Sequence, residues 1–278
     1  MSYSLLITEH LAEKYPNIPK DEYYYSSDIF TILKAAMKYY PVKSAAYDDI
    51  LYHVKTDLRN KYGENEYVLC IERLYFEKVN DELEFFNGSD DELPMDESIF
   101  TMICSNATFI PRYICEYNPE YIQISVAGKY KIEDTDKYLL ERSLEGPLSE
   151  RITLVQGHTS YSPEINGIGI SSTYNTQFKN YIKHELNREL KEEIGGFTKV
   201  DYPYDTFRII YPSNDFRTID AYHLGIIRSG TIKVNDIKDL TSLEWDKHEV
   251  LALSEDELKY KYPKDILDNY VKRAFFIK

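Results

Sequence analysis

Apolar positions in the first 63 residues recur at intervals of three or four, the spacing of amphipathic helices. Residues 29–37 predict one helix, with a capping sequence directly before it at residues 26–28. Residues 47–58 predict another, which ends at Gly63. The beginning of the chain is therefore predicted to be mainly helical.

From residue 67 onward, apolar and polar positions alternate over short runs, which is typical of half-buried strands. Runs at residues 67–76 and 82–86 predict the first two strands. A longer series follows Pro111, and it comprises residues 121–126, 137–142, 152–155, 207–211, 221–227 and 251–253. The second half of the chain is therefore rich in strands.

Helical spacing returns at residues 177–194, after a loop-like stretch at residues 159–176. Two further helices are predicted near the end of the chain, one after the capping box at residues 254–257 and one at residues 266–276. This order of elements predicts an α+β fold with helices packed on a mixed sheet. We divide the chain into an N-terminal region, residues 1–105, to which no function is assigned, and a second domain, residues 106–278.

The composition narrows the class of function. The net charge of −14 argues against general binding of a nucleic-acid backbone, which needs an excess of basic residues. Three cysteines, without metal-binding spacing, predict reduced thiols. Because no targeting segment or long apolar run is present, we predict a cytoplasmic protein that does not enter the membrane. Homo-oligomerisation is left open.

One face of the helix predicted at residues 177–194 is strongly acidic. That face consists of Glu185, Glu189, Glu192 and Glu193. A different face carries Leu186, Leu190 and Ile194, which can pack against a core. Carboxylates one turn apart repel each other, and a hard cation such as Mg²⁺ would offset that repulsion. The alternative is a solvated surface helix with an acidic side.

The octad from Arg188 to Gly195, Arg-Glu-Leu-Lys-Glu-Glu-Ile-Gly, resembles the second half of the Nudix box. The resemblance extends over about residues 110–260 and implies a mixed sheet between helices. In the first half of the box, Tyr174 and Asn180 stand where the family has glycine and glutamate. Glycines at 157, 167 or 169 are the candidates for replacing the missing glycine.

The resemblance implies a set of metal ligands for Mg²⁺ or Mn²⁺. These are Glu189, Glu192 and Glu193, with Glu185 as a replacement for the missing carboxylate. Arg188 is expected to orient a ligand carboxylate through an ion pair, the alternative being a weak surface salt bridge. The general base that activates the attacking water is expected to be Glu193, or else Glu244 or Glu249.

Two histidines are the candidate substrate contacts, and both have structural alternatives. His158 follows the glycine that would border the site, where hydrogen bonding within the loop is the alternative. His223 lies in a predicted strand and fits a core or cleft-lining position. His10 and His53 lie within the helical N-terminal pattern, where we interpret them as surface or core residues rather than ligands.

The resemblance predicts a metal-dependent hydrolase that cleaves a pyrophosphate bond in a nucleoside diphosphate linked to another moiety. The substrate is expected to be a small nucleotide-type molecule. The alternative function is that of a non-catalytic relative, a ligand sensor or protein-interaction module that keeps the fold. Three box glutamates and the arginine favour the enzyme, whereas the mismatched first half of the box favours the alternative.

Overall fold

The computed structural model describes most of the chain. The described residues are 6–26, 28–77, 103, 105–144, 150–162, 172–203 and 207–277. The strand predicted at residues 82–86 and the glycines at 167 and 169 lie outside these ranges. No helix among the described residues is both long enough and apolar enough to cross a membrane.

The N-terminal region begins with three helices, α1 (Leu6–Lys14), α2 (Ile29–Met37) and α3 (Ala45–Tyr62). Asp28 caps α2, because its carboxylate accepts hydrogen bonds from the backbone N–H groups of residues 30 and 31. Gly63 ends α3 with a positive φ of 79°. Both helices predicted in this region are confirmed, and their boundaries lie close to the predicted ones.

These helices are held to the rest of the protein by a common apolar core. Ile32, Leu33 and Val54 are fully buried in it. The same core includes Tyr117 and Tyr222, which lie much later in the chain and pack against Phe30 with ring centroids at 5.2 and 6.0 Å. The N-terminal helices are therefore packed directly against the strand-rich part of the protein.

Twelve strands are formed by the described residues. They are β1 (Tyr67–Glu72), β2 (Ala107–Pro111), β3 (Tyr121–Ile132), β4 (Lys137–Ser143), β5 (Ile152–Thr153), β6 (Val155–His158), β7 (Ile194–Gly195), β8 (Phe197–Asp201), β9 (Phe207–Ile210), β10 (His223–Val234), β11 (Thr241–Ser242) and β12 (His248–Ser254). All but β7 and β11, which pair with each other, belong to one sheet.

The sheet is mixed, with two long parallel strands at its centre. Strands β3 and β10 pair from Gln123 opposite His223 to Ile132 opposite Ile232. The other pairs are antiparallel, including β1 with β2 and β3, β6 with β3, and β12 with β4. Since β1 and β2 both belong to this sheet, the sheet has strands on both sides of the predicted boundary at residues 105 and 106. The division into domains stays a prediction.

Helices cover both faces of the sheet. The helices that follow β2 are α4 (Arg112–Cys115), α5 (Ser172–Glu193), α6 (Glu255–Tyr260) and α7 (Asn269–Ala274). Phe178 and Ile182 of α5 pack on one face, and Val271 of α7 packs in the core on the other. The predicted α+β fold, with a mixed sheet between helices and a helical region before it, is confirmed.

Several boundaries differ from the prediction for local reasons. Strand β1 ends at Glu72 rather than at residue 76, because residues 73–77 are helical. At this change of direction, Arg73 donates through Nε to the carbonyl of Pro119 at 2.7 Å. Helix α5 begins at Ser172 rather than at residue 177, in a polar stretch without the apolar spacing that marks a helix. Helix α7 begins at Asn269 rather than at residue 266, because Asp268 caps it.

The cap of α7 makes the stability of the fold depend on pH. Asp268 is buried and accepts a hydrogen bond from the N–H of Val271 at 2.7 Å. Burial raises the pKa of Asp268 to about 7. The folded state therefore binds a proton that the unfolded state releases near pH 4, which is about the ordinary pKa of the group.

The free energy of unfolding should accordingly fall as the pH rises from about 4 to about 7. Asp268→Asn should keep the cap but remove the contribution of Asp268 to the fall in the free energy of unfolding. That contribution should amount to a few kcal/mol, because one pKa unit corresponds to about 1.4 kcal/mol. Urea denaturation at a series of pH values measures it. Asp265→Asn, an exposed neighbour, is the control. Equal pH slopes for Asp268→Asn and the wild type would contradict the prediction.

Candidate functional site

Helix α5 holds its acidic face against the end of strand β6. Leu186 and Leu190 are buried and fix the rotation of the helix over the sheet. Glu189 is then turned toward Gly157, where a Cβ atom would lie only 2.0 Å from the carboxyl carbon of Glu189. The missing side chain of Gly157 therefore makes the space that this carboxylate occupies.

Arg188 connects this face to the neighbouring strand. Its guanidinium donates to the carbonyl oxygen of His158 at 2.9 Å and to Glu185 Oε2 at 3.1 Å. It also donates to Glu192 Oε2 at 2.7 Å and to Glu189. Arg188 thus orients three carboxylates of one helix, as an ion-pairing residue was expected to do. Its side chain is 27% exposed, unlike that of a fully solvated surface salt bridge.

Glu185 is engaged by the chain that follows β6. It is 1% exposed, and its Oε2 accepts hydrogen bonds from the N–H and the hydroxyl of Ser160 at 2.7 and 2.8 Å. These partners and Arg188 all bind Oε2, whereas Oε1 lies 3.2 Å from Nδ1 of His184. Glu185 thus contacts Ser160, and its role as a metal ligand stays a prediction.

The carboxyl group of Glu193 meets Glu141, a residue of β4 that the sequence-based reasoning missed. The two acidic groups lie close together in a partly buried place, which favours the protonated form of one of them. Burial, and then the neighbouring carboxylates, raise the pKa of Glu193, and burial also raises the pKa of Glu141. Among the described residues, Glu193 Oε2 and Glu141 Oε1 have no hydrogen-bond partner although both are buried.

Burial also raises the pKa of Glu189, to about 7, despite the adjacent Arg188. Glu141, Glu185 and Glu189 are therefore buried as whole residues, and Glu193 has a buried Oε2 atom, so water stabilises the ionised forms of these carboxyl groups only weakly. Glu192 differs, because its side chain is 58% exposed. In the described part of the chain, the predicted ligands do not form a set of three whose oxygens all lie within 4.8 Å of one another.

Glu189 and Glu193 border a cleft of about 460 Å³, which Glu244 also lines. Glu66 and Arg112, which were not predicted as site residues, line it as well. Glu66 directly precedes β1, and Arg112 begins α4. The remaining candidate base, Glu249, pairs instead with Arg142 at 3.0 Å on the exposed edge of the sheet. Of the candidate bases, Glu193 and Glu244 are therefore the ones that line the cleft.

Three cations line the cleft, Arg188 and two others, and each has an acidic partner. Lys247 Nζ lies 2.7 Å from Glu244 Oε1. Arg112 donates to Glu66 at 2.5 Å and to Glu116 at 2.9 Å. Burial opposes the ionisation of Glu116, but Arg112 holds its pKa at about 2. The cleft therefore offers positive charge to an anionic ligand, although acidic neighbours already balance that charge.

The two predicted substrate contacts lie side by side. His158 lines the cleft, and its Nε2 is 3.2 Å from Nε2 of His223. His223 Nδ1 lies 3.0 Å from the carbonyl of Ile219, which can only accept, so Nδ1 carries the proton. Burial lowers the pKa of both histidines, so both are neutral. His223 Nε2 then accepts a hydrogen bond from Nε2 of His158. Nδ1 of His158 remains available as an acceptor. His223 itself lies behind His158, as seen from the cleft.

The missed residues carried weak signals in the sequence. Glu141 is an acidic residue in a predicted strand, where it falls in register with the apolar Leu139. A buried carboxylate at such a position is rare without a partner, and this is a signal that could have been used. Arg112 had no such signal, because β2 and α4 reach the cleft only through the pairing of β2 with β1.

No family model and no curated protein matches this sequence. Among solved structures, the chain is similar to Tm1382, provisionally described as a Nudix hydrolase. The TM-score is 0.51 and the identity 17%, over 76% of this chain and 97% of that one. A Nudix hydrolase from Nitrosomonas europaea has a TM-score of 0.36 and 19% identity, over 56% of this chain and 86% of that one.

A bifunctional NMN adenylyltransferase/ADP ribose pyrophosphatase from Francisella tularensis, in complex with AMP and a manganese ion, is more distant. Its TM-score is 0.29 and its identity 10%, over 75% of this chain and 45% of that one. The likeness to Tm1382 extends over most of both chains and matches the arrangement of sheet and helices described above. The chain therefore has a Nudix fold, and the predicted resemblance is confirmed at the level of the fold.

The close approach of Gly157 and Glu189 predicts an interaction that a double-mutant cycle can measure. Gly157→Ala should lower the free energy of unfolding by about 1–3 kcal/mol, because its Cβ enters the space of the Glu189 carboxyl group. In a Glu189→Ala background, the same substitution should cost less than about 0.5 kcal/mol. Denaturant unfolding of the four proteins measures both values, and equal costs in the two backgrounds would contradict the prediction.

Proposed function

We propose that the protein is a divalent-metal-dependent hydrolase that cleaves a pyrophosphate bond in a nucleoside diphosphate linked to another moiety. The observation that carries the proposal is a group of carboxyl groups at a cleft that also contains Arg112 and Lys247. Glu189 and Glu193 line the cleft, and Glu141 lies next to Glu193. Glu141 and Glu189 are buried, and so is the Oε2 atom of Glu193. Such a set is costly to bury unless something positive binds it. The Nudix fold and the octad at residues 188–195 support the same conclusion.

The residues present fit Mg²⁺ or Mn²⁺. Glu193 Oε2 and Glu141 Oε1 are buried oxygens without hydrogen-bond partners among the described residues, and oxygen is the ligand that these ions prefer. Glu189 lies in the space left by Gly157 and supplies a further carboxylate. When bound, the ion would neutralise charge on phosphoryl oxygens and make a hydroxide available near neutral pH.

The other residues take roles that follow from their contacts. Arg188 fixes the orientation of Glu189, and Glu185 fixes Ser160 at the edge of the cleft. Glu244 and Glu193 are the candidate general bases, since both line the cleft. Arg112 and Lys247 would meet the negative charge of the substrate, and Nδ1 of His158 would accept a hydrogen bond from it.

We further propose that the substrate is a small molecule of the nucleotide type. A cleft of about 460 Å³ falls within the usual range for small-molecule sites, about 300–1,000 Å³. It contains cations for a diphosphate and a neutral acceptor for a hydroxyl or N–H group. The net charge of −14 makes a long nucleic-acid backbone an unsuitable partner.

The experiment that tests this proposal is a screen for cleavage. Nucleotide sugars, dinucleotides, capped RNA and oxidised nucleoside triphosphates are incubated with the protein and Mg²⁺ or Mn²⁺, and the release of nucleoside monophosphate is measured. Cleavage that disappears with EDTA supports the hydrolase. Tight binding of a nucleotide without cleavage would overturn it in favour of a non-catalytic ligand sensor.

Glu189→Gln and Glu193→Gln should each reduce turnover by more than about 100-fold. Mutating residues that only hydrogen-bond to metal ligands typically lowers metal affinity or activity by about 10–100-fold. Glu189 and Glu193 are the proposed ligands themselves, so a larger loss is expected. Glu133→Gln is the matched control, because Glu133 lies on the surface and pairs only loosely with Lys233 at 3.4 Å. Steady-state rates with the best substrate of the screen check the prediction, which fails if the control and the two variants lose activity equally.

Glu141→Gln should have two effects of opposite sign. Without metal, it should raise the free energy of unfolding, because it removes one of two acidic groups that lie together in a buried place. We expect a gain of about 1–2 kcal/mol, since a shift of one pKa unit corresponds to about 1.4 kcal/mol. With metal, it should weaken Mn²⁺ binding by about 10–100-fold. Denaturant unfolding in EDTA and calorimetric titration with Mn²⁺ measure the two effects. Loss of stability in EDTA would contradict the expected repulsion.

A further inference from the structure

Three metal-ligating side chains meet between helices α1 and α3, in the N-terminal region. His10 lies on α1, and Asp49 and His53 lie one turn apart on the same side of α3. His10 Nε2 is 2.8 Å from Asp49 Oδ2, and the rings of His10 and His53 are stacked with their centroids 3.5 Å apart. One donor atom from each residue lies within 4.8 Å of the other two.

Two imidazole nitrogens and one carboxylate oxygen form a donor set for first-row transition metals and Zn²⁺. We propose that His10, Asp49 and His53 form a second metal site, for Zn²⁺ or a similar divalent transition-metal ion, which is separate from the glutamate site of α5. The sequence-based interpretation of His10 and His53 as ordinary helix residues did not foresee this, because α1 and α3 come together only in the folded protein.

The surroundings of Asp49 keep a cation close to the cluster. Lys14 Nζ donates to Asp49 Oδ1 at 2.9 Å from an exposed position. A metal ion requires a deprotonated carboxylate and a neutral imidazole, and it would bind in competition with this ion pair.

Binding would require only a local rearrangement. The ion would take the place of the hydrogen bond between His10 and Asp49 Oδ2, an oxygen that also accepts a hydrogen bond from the hydroxyl of Tyr15 at 2.8 Å. Because the two rings are stacked with an interplanar angle of 21°, one ring must turn before both nitrogens point at the same ion. Both histidines are partly exposed, so a ring can turn without opening the core. Lys14 is 54% exposed and can release Oδ1 into solution.

The two sites differ in the metal that they prefer. The glutamate site offers carboxylate oxygens, which suit Mg²⁺ and Mn²⁺. The histidine site offers two nitrogens and one oxygen, which suit Zn²⁺ and Co²⁺ and are poor ligands for Mg²⁺. An ion at the histidine site would join α1 to α3 in place of the hydrogen bond between His10 and Asp49 and the stacking of the two rings. We therefore expect it to stabilise the N-terminal helices.

The test uses the full chain carrying Glu189→Gln and Glu193→Gln, which removes the glutamate site as a competitor. Calorimetric titration of this parent with Zn²⁺ should reveal one binding event, with no such event for Mg²⁺. Co²⁺ should produce visible absorption bands on binding. His53→Ala and, separately, Asp49→Asn should weaken Zn²⁺ binding by at least about tenfold, because each removes a ligand. His184→Ala is the control, since its side chain is 76% exposed on α5.

Thermal unfolding separates loss of the site from loss of the fold. Zn²⁺ should raise the midpoint of the parent and of His184→Ala, but not that of His53→Ala or Asp49→Asn, all of which should unfold cooperatively. Absence of Zn²⁺ binding in the parent, or equal binding in the parent and in a cooperatively folded His53→Ala or Asp49→Asn, would overturn the proposal. Failure of the hydrolase proposal would leave this result unchanged, because the parent already lacks the two helix glutamates.

Discussion

The burial of carboxyl groups between α5 and the sheet is the constraint on which this site depends. Leu186 and Leu190 set the rotation of α5, and that rotation turns Glu189 and Glu193 toward the sheet. Burying like charges is unfavourable, and the structure offsets the cost in two ways. Arg188 is placed among the carboxylates of its own helix, and burial next to Glu141 raises the pKa of Glu193, which favours the neutral form of that group.

This arrangement explains why a glycine is needed on β6. Strand β6 crosses directly below the acidic face, and only a residue without a Cβ leaves room for the carboxyl group of Glu189. Arg188 also binds the carbonyl oxygen of His158, the next residue along the strand. The helix and the strand are thus joined at the edge of the cleft by the same side chains that define its acidic side.

The N-terminal region contributes to the cleft as well as to the core. Glu66 and Arg112 line the cleft, and Arg112 is held by Glu116 and by stacking on Tyr62 at 4.0 Å. The proposed cleft therefore combines residues from both sides of the boundary predicted at residues 105 and 106. In the hydrolase that we propose, its selectivity would depend on Arg112 as much as on the glutamate helix.

The sequence alone determined the class of fold and the identity of the central helix. The spacing of apolar residues places helices and strands because local geometry repeats at fixed intervals, and the octad at residues 188–195 marks a helix with a charged face. The caps at Asp28 and Ser254 and the end of α3 at Gly63 were also predictable, because capping depends on neighbouring residues.

Only the tertiary structure decided which residues meet. The pairing of Glu141 with Glu193, the engagement of Glu185 by Ser160 and the exposure of Glu192 depend on how α5 lies over β4 and β6. Arg112 reaches the cleft, and His10 reaches His53, through contacts between distant segments. Periodicity describes which side of an element is buried, but not which other element covers it, because that choice depends on packing over the whole chain.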